Sequence, residues 1–453
     1  MNIIIVGSGA VGTAICAGLA LENHNITVID KNSAALAEVT CAYDVTGIEG
    51  NGADIAALRQ AGADAADLLI AVTNEDELNI LCCFAAKKLG TRHTVARVRN
   101  PEYAEFMALM KDDINLSMTI NPEYAVAKEI SRILRIPSAS RIDSVCGGKV
   151  DLAEITVPEN SSLIGLSLIA LREKLKVKFL VCSVKRGDEI YIPSGDFVIE
   201  EGDTLGVTAG EAEIVEFFKA AGCYQSPVKE LLIVGGGRVT YYLADLIRKR
   251  KMRVAVIEKD RSLAEDMARE HSDFTVIHGN GTDQNLLIEE GIEKADAFLA
   301  LSGVDEENAI VSMFAKTKAV PKIITMISSL PYVDFFHGVG IDSIVSPKSS
   351  TVAYILRFVR SFAETDGSEI ESLHRMMDGK IEALEFKVNE HIDGITGKPL
   401  KDIKKRRDCI VCCILRGDSV IIPSGTDTIE KSDTVVVISR EGKMNSIKDI
   451  IDR

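Results

Sequence analysis

The chain has 453 residues, of which 46% are hydrophobic and 26% charged, a composition typical of a globular protein with several domains. Its formal net charge of −15 would repel phosphate backbones and argues against nucleic acid as a partner. No apolar run approaches the roughly 18 residues that a membrane span needs, and residues 1–6 form a strand-like run without a signal-peptide pattern. We therefore expect a cytoplasmic protein with no direct membrane insertion.

The first unit, residues 1–135, alternates short apolar strands with helical segments. The predicted strands cover residues 3–6, 26–29, 68–72 and 93–98. Such alternation predicts a doubly wound parallel sheet with helices on both faces, a Rossmann-like α/β fold.

A glycine-rich turn follows the first predicted strand and opens a helix. In Gly7-Ser-Gly-Ala-Val-Gly12, the first glycine permits a tight turn, the second lets the backbone approach a pyrophosphate, and the third allows close helix packing. Asp30 ends the next strand, where its carboxylate would accept hydrogen bonds from ribose hydroxyls and would repel the extra phosphate of NADP. The pattern therefore predicts an NAD-type site, with these candidate residues: Gly7, Ser8, Gly9, Ala10, Val11, Gly12, Asp30 and Lys31.

Three further candidates follow later strands of the first unit. Thr73 and Asn74 end the third predicted strand and Arg97 lies at the end of the fourth, at the sheet edge where open α/β folds bind nucleotides. Thr73 could instead only cap the following helix. Acidic residues such as Asp76 begin that helix, where we interpret them as partners of the helix dipole rather than metal ligands.

A connector and a smaller unit complete the first half. Residues 122–136 have apolar residues at helical spacing, and this helix could pack on its own domain or on another subunit. Residues 136–224 then show strand alternation, hairpin turns and a final helix at 211–221, which predict a small α+β domain.

The second half repeats the first. Gly7 returns as Gly235 and Asp30 as Glu258, both 228 residues later, so the chain has the order A–B–A′–B′, with A′ at 225–360 and B′ at 361–453. Thr240 replaces the third glycine and would hold the helix slightly off the strand, which leaves open whether this site binds a different nucleotide or none. Its candidate residues are Gly235, Gly236, Gly237, Arg238, Val239 and Glu258.

Residues for catalysis or for metal binding are not apparent. The seven histidines are scattered, no GxxxxGK[ST] loop occurs, and neither smaller unit has clustered ionisable groups to hold a substrate. The ten cysteines, including Cys82, Cys83 and the Cys409-x-x-Cys412-Cys413 run, are interpreted as small buried thiols in a reducing compartment. We therefore expect nucleotide binding without turnover.

Together these residues resemble the TrkA family, the peripheral nucleotide-binding subunits of Trk potassium uptake systems. The resemblance covers essentially the whole chain and rests on the tandem order, the opening strand and glycine turn, Thr27-Val-Ile-Asp30, Ala96-Arg-Val-Arg99, and the Ile-Pro-Ser-Gly turns at 192–195 and 422–425.

The resemblance implies RCK-N domains for the A units and RCK-C domains for the B units. Carried over by position, it adds Ser302 and Gly303 to the nucleotide contacts of the second site. It also implies NAD(H) or ATP/ADP as ligands, a tetrameric ring as the homo-oligomer, and a membrane-embedded Trk potassium transporter subunit as the partner at the inner face of the cell membrane. Three alternatives stay open: a regulatory ring of another potassium channel or a cation/proton antiporter, an NAD-dependent oxidoreductase, and a purely structural scaffold.

Overall fold

The structure is a computed structural model. It describes residues 1–22, 24–103, 116–175, 177–328, 336, 339–341, 343–360, 368–377, 380–440, 444 and 446–452. The boundary predicted after residue 360 falls at a segment, 361–367, that lies outside the described residues.

The first half contains a parallel sheet followed by an antiparallel one. Its elements, in chain order, are β1 (Asn2–Val6), α1 (Ala10–Ala20), β2 (Asn25–Asp30), α2 (Ser33–Ala42), β3 (Thr46–Glu49), α3 (Ile55–Gln60), β4 (Leu68–Ala71), α4 (Asp76–Leu89), β5 (His93–Arg97), β6 (Met118–Ile120), α5 (Pro122–Arg135), β7 (Arg141–Val145), β8 (Val150–Thr156), α6 (Leu168–Leu175), β9 (Phe179–Arg186), β10 (Glu189–Tyr191), β11 (Thr204–Ala209) and α7 (Glu211–Ala221).

The second half repeats this order. Its elements are β12 (Glu230–Val234), α8 (Arg238–Ile247), β13 (Arg253–Glu258), α9 (Arg261–Glu270), β14 (Thr275–His278), α10 (Gln284–Glu289), β15 (Ala297–Ala300), α11 (Asp305–Thr317), β16 (Lys322–Met326), β17 (Ser343–Val345), α12 (Pro347–Arg360), β18 (Ser368–Met376), β19 (Ile381–Val388), β20 (Cys409–Arg416), β21 (Ser419–Ile421) and β22 (Thr434–Arg440).

The two larger sheets have the same strand order, β3-β2-β1-β4-β5-β6 in the first half and β14-β13-β12-β15-β16-β17 in the second. The order of the strands reverses between β1 and β4 in the first sheet and between β12 and β15 in the second, which is the switch point where doubly wound folds bind ligands. Central strands such as β1 and β4 are buried along their length, as expected for a sheet covered on both faces. The predicted fold class is confirmed.

The smaller sheets are antiparallel, with orders β10-β9-β11-β8-β7 and β18-β19-β22-β20-β21. They share one apolar core, which joins Leu152 and Cys182 of the first half to Cys412 and Ile438 of the second. At its border, the buried carboxylate of Glu385 accepts a hydrogen bond of 3.0 Å from the Cys146 N–H of the other half. The two smaller units of one chain therefore form a single body.

The connector helices α5 and α12 are exchanged between the halves. Val126, Ile130 and Leu134 of α5 lie in the core of the second parallel sheet, beside Leu243 of α8. The α12 residues, among them Leu356, lie in the core of the first parallel sheet in the same way. Both sequence-based options for α5, its own domain or another subunit, were wrong, because its apolar face packs against the opposite half of the same chain.

The cysteines of both clusters are buried as free thiols. Cys82 and Cys83 are fully buried in α4, and Cys412 and Cys413 are fully buried in β20. A register shift between Val411 and Cys413 marks a bulge, so β20 departs from strict alternation at this point. Burial raises the pKa of Cys82 to about 12 and also raises the pKa of Cys83 and of Cys412, which makes these three thiols unreactive.

Candidate functional site

The first glycine loop has the tight geometry that its spacing predicts. Gly7 has φ of +103°, a backbone conformation that glycine adopts freely, and its N–H donates to the carbonyl of Ile29 at 2.9 Å. A Cβ added at Gly12 would lie 1.8 Å from the Gly7 oxygen. The third glycine is therefore required for α1 to begin this close to β1.

The surface above this loop is open. Gly9 and Ala10 are exposed, and a Cβ added at Gly9 would meet no atom within 4 Å. Gly9 caps α1 without a side-chain hydrogen bond to the first turn. The free N–H groups at this helix end are consequently available to an anionic group such as a phosphate.

Asp30 lies directly beside the loop, as predicted. One of its carboxylate oxygens accepts hydrogen bonds from the Ser8 N–H at 2.5 Å and the Ser8 hydroxyl at 2.8 Å, and the other accepts from the Asn32 N–H. Partial burial opposes ionisation of Asp30, but these hydrogen bonds outweigh it and lower its pKa. Lys31 next to it is exposed and Val11 is partly buried.

Thr73, Asn74 and Arg97 are brought together at the carboxyl edge of the same sheet. The guanidinium of Arg97 donates to the carbonyl of Thr73 at 2.6 Å and to the side-chain oxygen of Asn74 at 3.3 Å. Arg97 is only 6% exposed, and its Nε has no partner. Burial lowers its pKa to about 10, and the nearby positive charge of Arg99 acts in the same direction.

Two positions that the sequence interpretation left out of the site hold this edge in place. Asn79, fully buried in α4, accepts from the Thr73 N–H at 2.8 Å and donates to the carbonyls of Thr73 and Arg97. Asp76, which was interpreted only as a dipole partner, accepts from the N–H groups of Arg99 and Asn100. The sequence did contain a signal for these two positions, because α11 repeats them as Asn308 and Asp305.

The second loop accommodates a threonine by a different contact. Gly235 has φ of +104°, nearly identical to Gly7. Thr240 is fully buried, and its hydroxyl donates to the carbonyl of Gly235 at 2.6 Å. Since a Cβ at the equivalent Gly12 would clash, the first turn of α8 must lie farther from its loop than that of α1, as predicted.

The acid of the second site is also held by its loop. Glu258, 7% exposed, accepts a hydrogen bond of 2.5 Å from the Gly236 N–H and one of 2.7 Å from the Asp260 N–H. Ser302 is linked to Asn308 as Thr73 is to Asn79, with 2.9 Å from the Ser302 N–H to the amide oxygen. The remaining candidates range from buried to exposed: Gly236 and Val239 are buried, Gly237 is partly buried, and Arg238 and Gly303 are exposed.

The two sites are close enough to share charged residues. Arg238, which begins α8 in the second half, contributes a positive charge that lowers the pKa of Arg97, after the larger effects of burial and Arg99. Glu123, at the start of α5, lies among these three arginines, and burial raises its pKa although they oppose the shift. The exchanged connector thus places an acidic side chain near arginines of both halves.

These features define a class of protein with two Rossmann-type nucleotide loops in one chain, each paired with a small antiparallel unit. Models of known domain families match the same units, the TrkA-N domain at residues 3–120 and 231–347 and the TrkA-C domain at residues 152–222 and 384–452. The chain belongs to the TrkA family.

Curated relatives match along nearly the full length. A Trk system potassium uptake protein TrkA homolog of Archaeoglobus fulgidus is 32% identical over 451 residues, which are 99% of this chain and 100% of that protein. The Trk system potassium uptake protein TrkA of Vibrio alginolyticus is 34% identical over 443 residues, 96% of this chain and 95% of that protein.

Solved structures share the fold at low sequence identity. The RCK domain of GsuK superimposes with a TM-score of 0.63 at 16% identity and covers 97% of this chain and 92% of that one. The GsuK channel bound to NAD gives a TM-score of 0.62 at 16% identity, over 97% of this chain and 76% of that one. Tandem RCK-type architecture is therefore shared.

The part of the chain that the structure describes contains neither a candidate membrane-spanning helix nor a candidate metal site. None of its helices combines the length and apolar character that a bilayer crossing needs. Nor does any group of three or more His, Cys, Asp or Glu side chains there come together in a way that could hold a metal ion.

Proposed function

We propose that the chain is the nucleotide-sensing regulatory subunit of a Trk-type membrane potassium transporter. The observation that carries this proposal is the pairing of each glycine loop with a carboxylate: Asp30 meets the Ser8 N–H and Glu258 meets the Gly236 N–H. A carboxylate held at this point can accept hydrogen bonds from the ribose of an adenine nucleotide. Membership of the TrkA family supplies the transport context.

NAD(H) is the proposed ligand of the first site, and ATP or ADP are further ligands. The loop Gly7 to Gly12 and the start of α1 would hold the phosphates, Asp30 and Lys31 would lie at the adenosine ribose, and Thr73, Asn74 and Arg97 would line the far wall. In the second site, the loop Gly235 to Val239, Glu258, Ser302 and Gly303 would take these positions. No residue is assigned a catalytic role.

The sensing would be transmitted through an assembly. We place the protein in the cytoplasm, as a tetrameric ring bound to the inner face of the membrane through the transporter subunit. A gate that changes from 1:99 to 99:1 needs about 5.5 kcal/mol of differential binding, whereas a single coupled site supplies about 1–3 kcal/mol. Several sites in one ring could supply that total.

The binding test uses calorimetry with NADH, NAD, ATP and ADP on the intact chain, the Asp30→Ala variant and an Asp44→Ala control, whose carboxylate is exposed on the same unit. Loss of one binding event in Asp30→Ala, with the control unchanged, is the expected result. Absence of binding by all four ligands would leave a structural scaffold.

The transport test uses vesicles that contain the transporter subunit and this protein. We expect the potassium flux to differ between the ligand-free and the ligand-saturated protein. Equal fluxes would refute the regulatory role even if nucleotides bind, and steady consumption of NADH with a small substrate would favour an oxidoreductase.

A further inference from the structure

A single tyrosine connects the two nucleotide sites inside one chain. Tyr242 lies on α8, one turn after Arg238, and is 9% exposed. Its hydroxyl donates to the carbonyl of Arg99 at 2.8 Å and accepts from the side-chain amide of Asn121 at 2.7 Å. The helix that begins at the second loop therefore holds the backbone that follows β5 in the first site.

The backbone that Tyr242 holds is the wall of the first site. Arg99 follows Arg97 by two residues, and its N–H and guanidinium are both held by Asp76, at 2.7 Å and 3.3 Å. Arg97 in turn contacts Thr73 at the end of β4. A shift of α8 would consequently be passed to the phosphate-facing side of the first site through one hydrogen bond.

The contact is reinforced from the connector helix. Asn121 caps α5 by accepting from the Tyr124 N–H at 2.8 Å, and the Tyr124 ring packs edge-on against the Tyr242 ring with 5.5 Å between centroids. The hydroxyl of Tyr242 thus joins three elements, α8, α5 and the segment after β5. Both hydrogen bonds of this hydroxyl are partly buried, and the lower local dielectric there strengthens them relative to bonds on an open surface.

The reciprocal pair of elements does not carry this contact. By the repeat register, Tyr242 corresponds to Ala14 in α1, Asn121 to Ser346, and Arg99 to Ser328. Alanine at position 14 has no hydroxyl to bridge with. The connection is therefore a feature of one interface only and is not required by the shared fold.

We propose that Tyr242 is a positioning residue that couples the two nucleotide sites, so that a nucleotide at the second loop orders the Arg97–Arg99 wall and tightens binding at the first. A ligand at the loop Gly235 to Val239 fixes the first turn of α8, and Tyr242 passes this order to the Arg99 carbonyl. If the Arg97–Arg99 segment is already ordered, less conformational entropy is lost when a ligand binds at the first site. By linkage, the first ligand strengthens the second by the same factor.

This coupling rests on the proposed nucleotide binding, and its test separates the two. Full-length Asp30→Ala protein is mixed with ADP, so that only the second loop is intact, and hydrogen exchange is followed by mass spectrometry. We expect ADP to slow exchange in peptides covering 235–240 and also in those covering 97–100, by at least about fivefold in the latter. Adding Tyr242→Phe should keep the protection of 235–240 and reduce that of 97–100 to less than about twofold.

The control is Tyr241→Phe, which removes the neighbouring hydroxyl on the same helix and should leave both protections unchanged. A thermal unfolding scan checks that each variant is folded. Equal protection of 97–100 with and without Tyr242→Phe would overturn the coupling role, as would protection of 235–240 alone or faster exchange at 97–100. If none of NADH, NAD, ATP and ADP binds to the unmodified chain, the proposed function is overturned instead, and the coupling with it.

Discussion

Gly7 and Gly235 begin the two nucleotide loops with almost the same φ, +103° and +104°, yet the loops differ one turn later. In the first half, Gly12 leaves no room for a side chain. In the second half, Thr240 fills the equivalent space and bonds to the Gly235 carbonyl. The two loops therefore begin with the same backbone conformation, but the first turn of the following helix lies at a different distance from each loop.

The residues at the end of β5 and at the end of β16 differ as well. Arg97 ends β5 and Arg99 follows it, whereas the repeat register places Met326 and Ser328 at the equivalent positions of the second half. The two buried asparagines bond to the backbone in the same way, since Asn308 donates to the carbonyls of Ser302 and Met326 as Asn79 does to those of Thr73 and Arg97. The duplication has thus kept the scaffold and changed the side chains at this edge of the sheet.

The largest difference between the halves should appear at the third glycine position. Gly12→Thr would place a Cβ 1.8 Å from the Gly7 oxygen, so we expect a loss of about 3 kcal/mol in the free energy of unfolding and loss of nucleotide binding at the first site. Thr240→Gly in the second half removes one hydrogen bond without a clash and should cost only about 1–2 kcal/mol. Urea denaturation measures both, and similar losses would show that the two helix starts are interchangeable.

The buried asparagines should instead behave alike. Asn79→Ala and Asn308→Ala each leave backbone groups at a strand end without their partner, so each should lower the free energy of unfolding by about 2 kcal/mol. Asn285→Ala, at an exposed position of α10, is the control and should change it by less than about 0.5 kcal/mol. A large effect in one half and none in the other would mean that the scaffold is not shared at this level.

The regular parts of this scaffold were predictable from the sequence. Strand periodicity located the parallel sheets, the glycine spacing located the loops, and the repeat register placed Glu258 where Asp30 lies. The first two signals are local, because each depends on residues within about 25 positions of one another, and the third needs only a comparison of the sequence with itself.

The features that could not be predicted from the sequence depend on contacts between distant segments of the chain. The apolar face of α5 showed that the helix packs on something, but only the tertiary structure showed that its partner is α8 of the opposite half. For the same reason, the approach of Arg238 to Arg97 and the bond from Tyr242 to Arg99 could not be predicted, since they follow from the exchanged connectors.

Replacing Arg97 by the residue found at the equivalent position of the second half tests whether this arginine contributes to ligand binding. Arg97→Met copies the residue at position 326 and removes the buried cation, so we expect the first site to bind NADH or ADP about tenfold more weakly, as for loss of one charge-assisted hydrogen bond. Calorimetry measures this change. Arg92→Met, which removes an exposed arginine paired with Asp67, is the control and should leave the affinity unchanged. An unchanged affinity in Arg97→Met would show that the buried guanidinium only supports the strand ends.

The smallest effect concerns the acid of the first site. Hydrogen bonds from Ser8 and Asn32 lower the pKa of Asp30 below its ordinary value of 3.8, so its ionised form stabilises the folded chain above that pH. As the pH falls through the lowered pKa, the carboxylate is protonated and this contribution disappears. The free energy of unfolding of the unmodified chain should therefore exceed that of Asp30→Asn at neutral pH and approach it below about pH 4.

Urea denaturation at several pH values follows this convergence, with Asp44→Asn as the control for an exposed carboxylate of the same unit. A constant difference between the unmodified chain and Asp30→Asn across the acid range would show that the amide replaces the carboxylate in the loop. Because ribose hydroxyls would compete with Ser8 for the same carboxylate oxygen, a bound nucleotide should change the size of this pH-dependent term in the unmodified chain and leave it unchanged in Asp30→Asn.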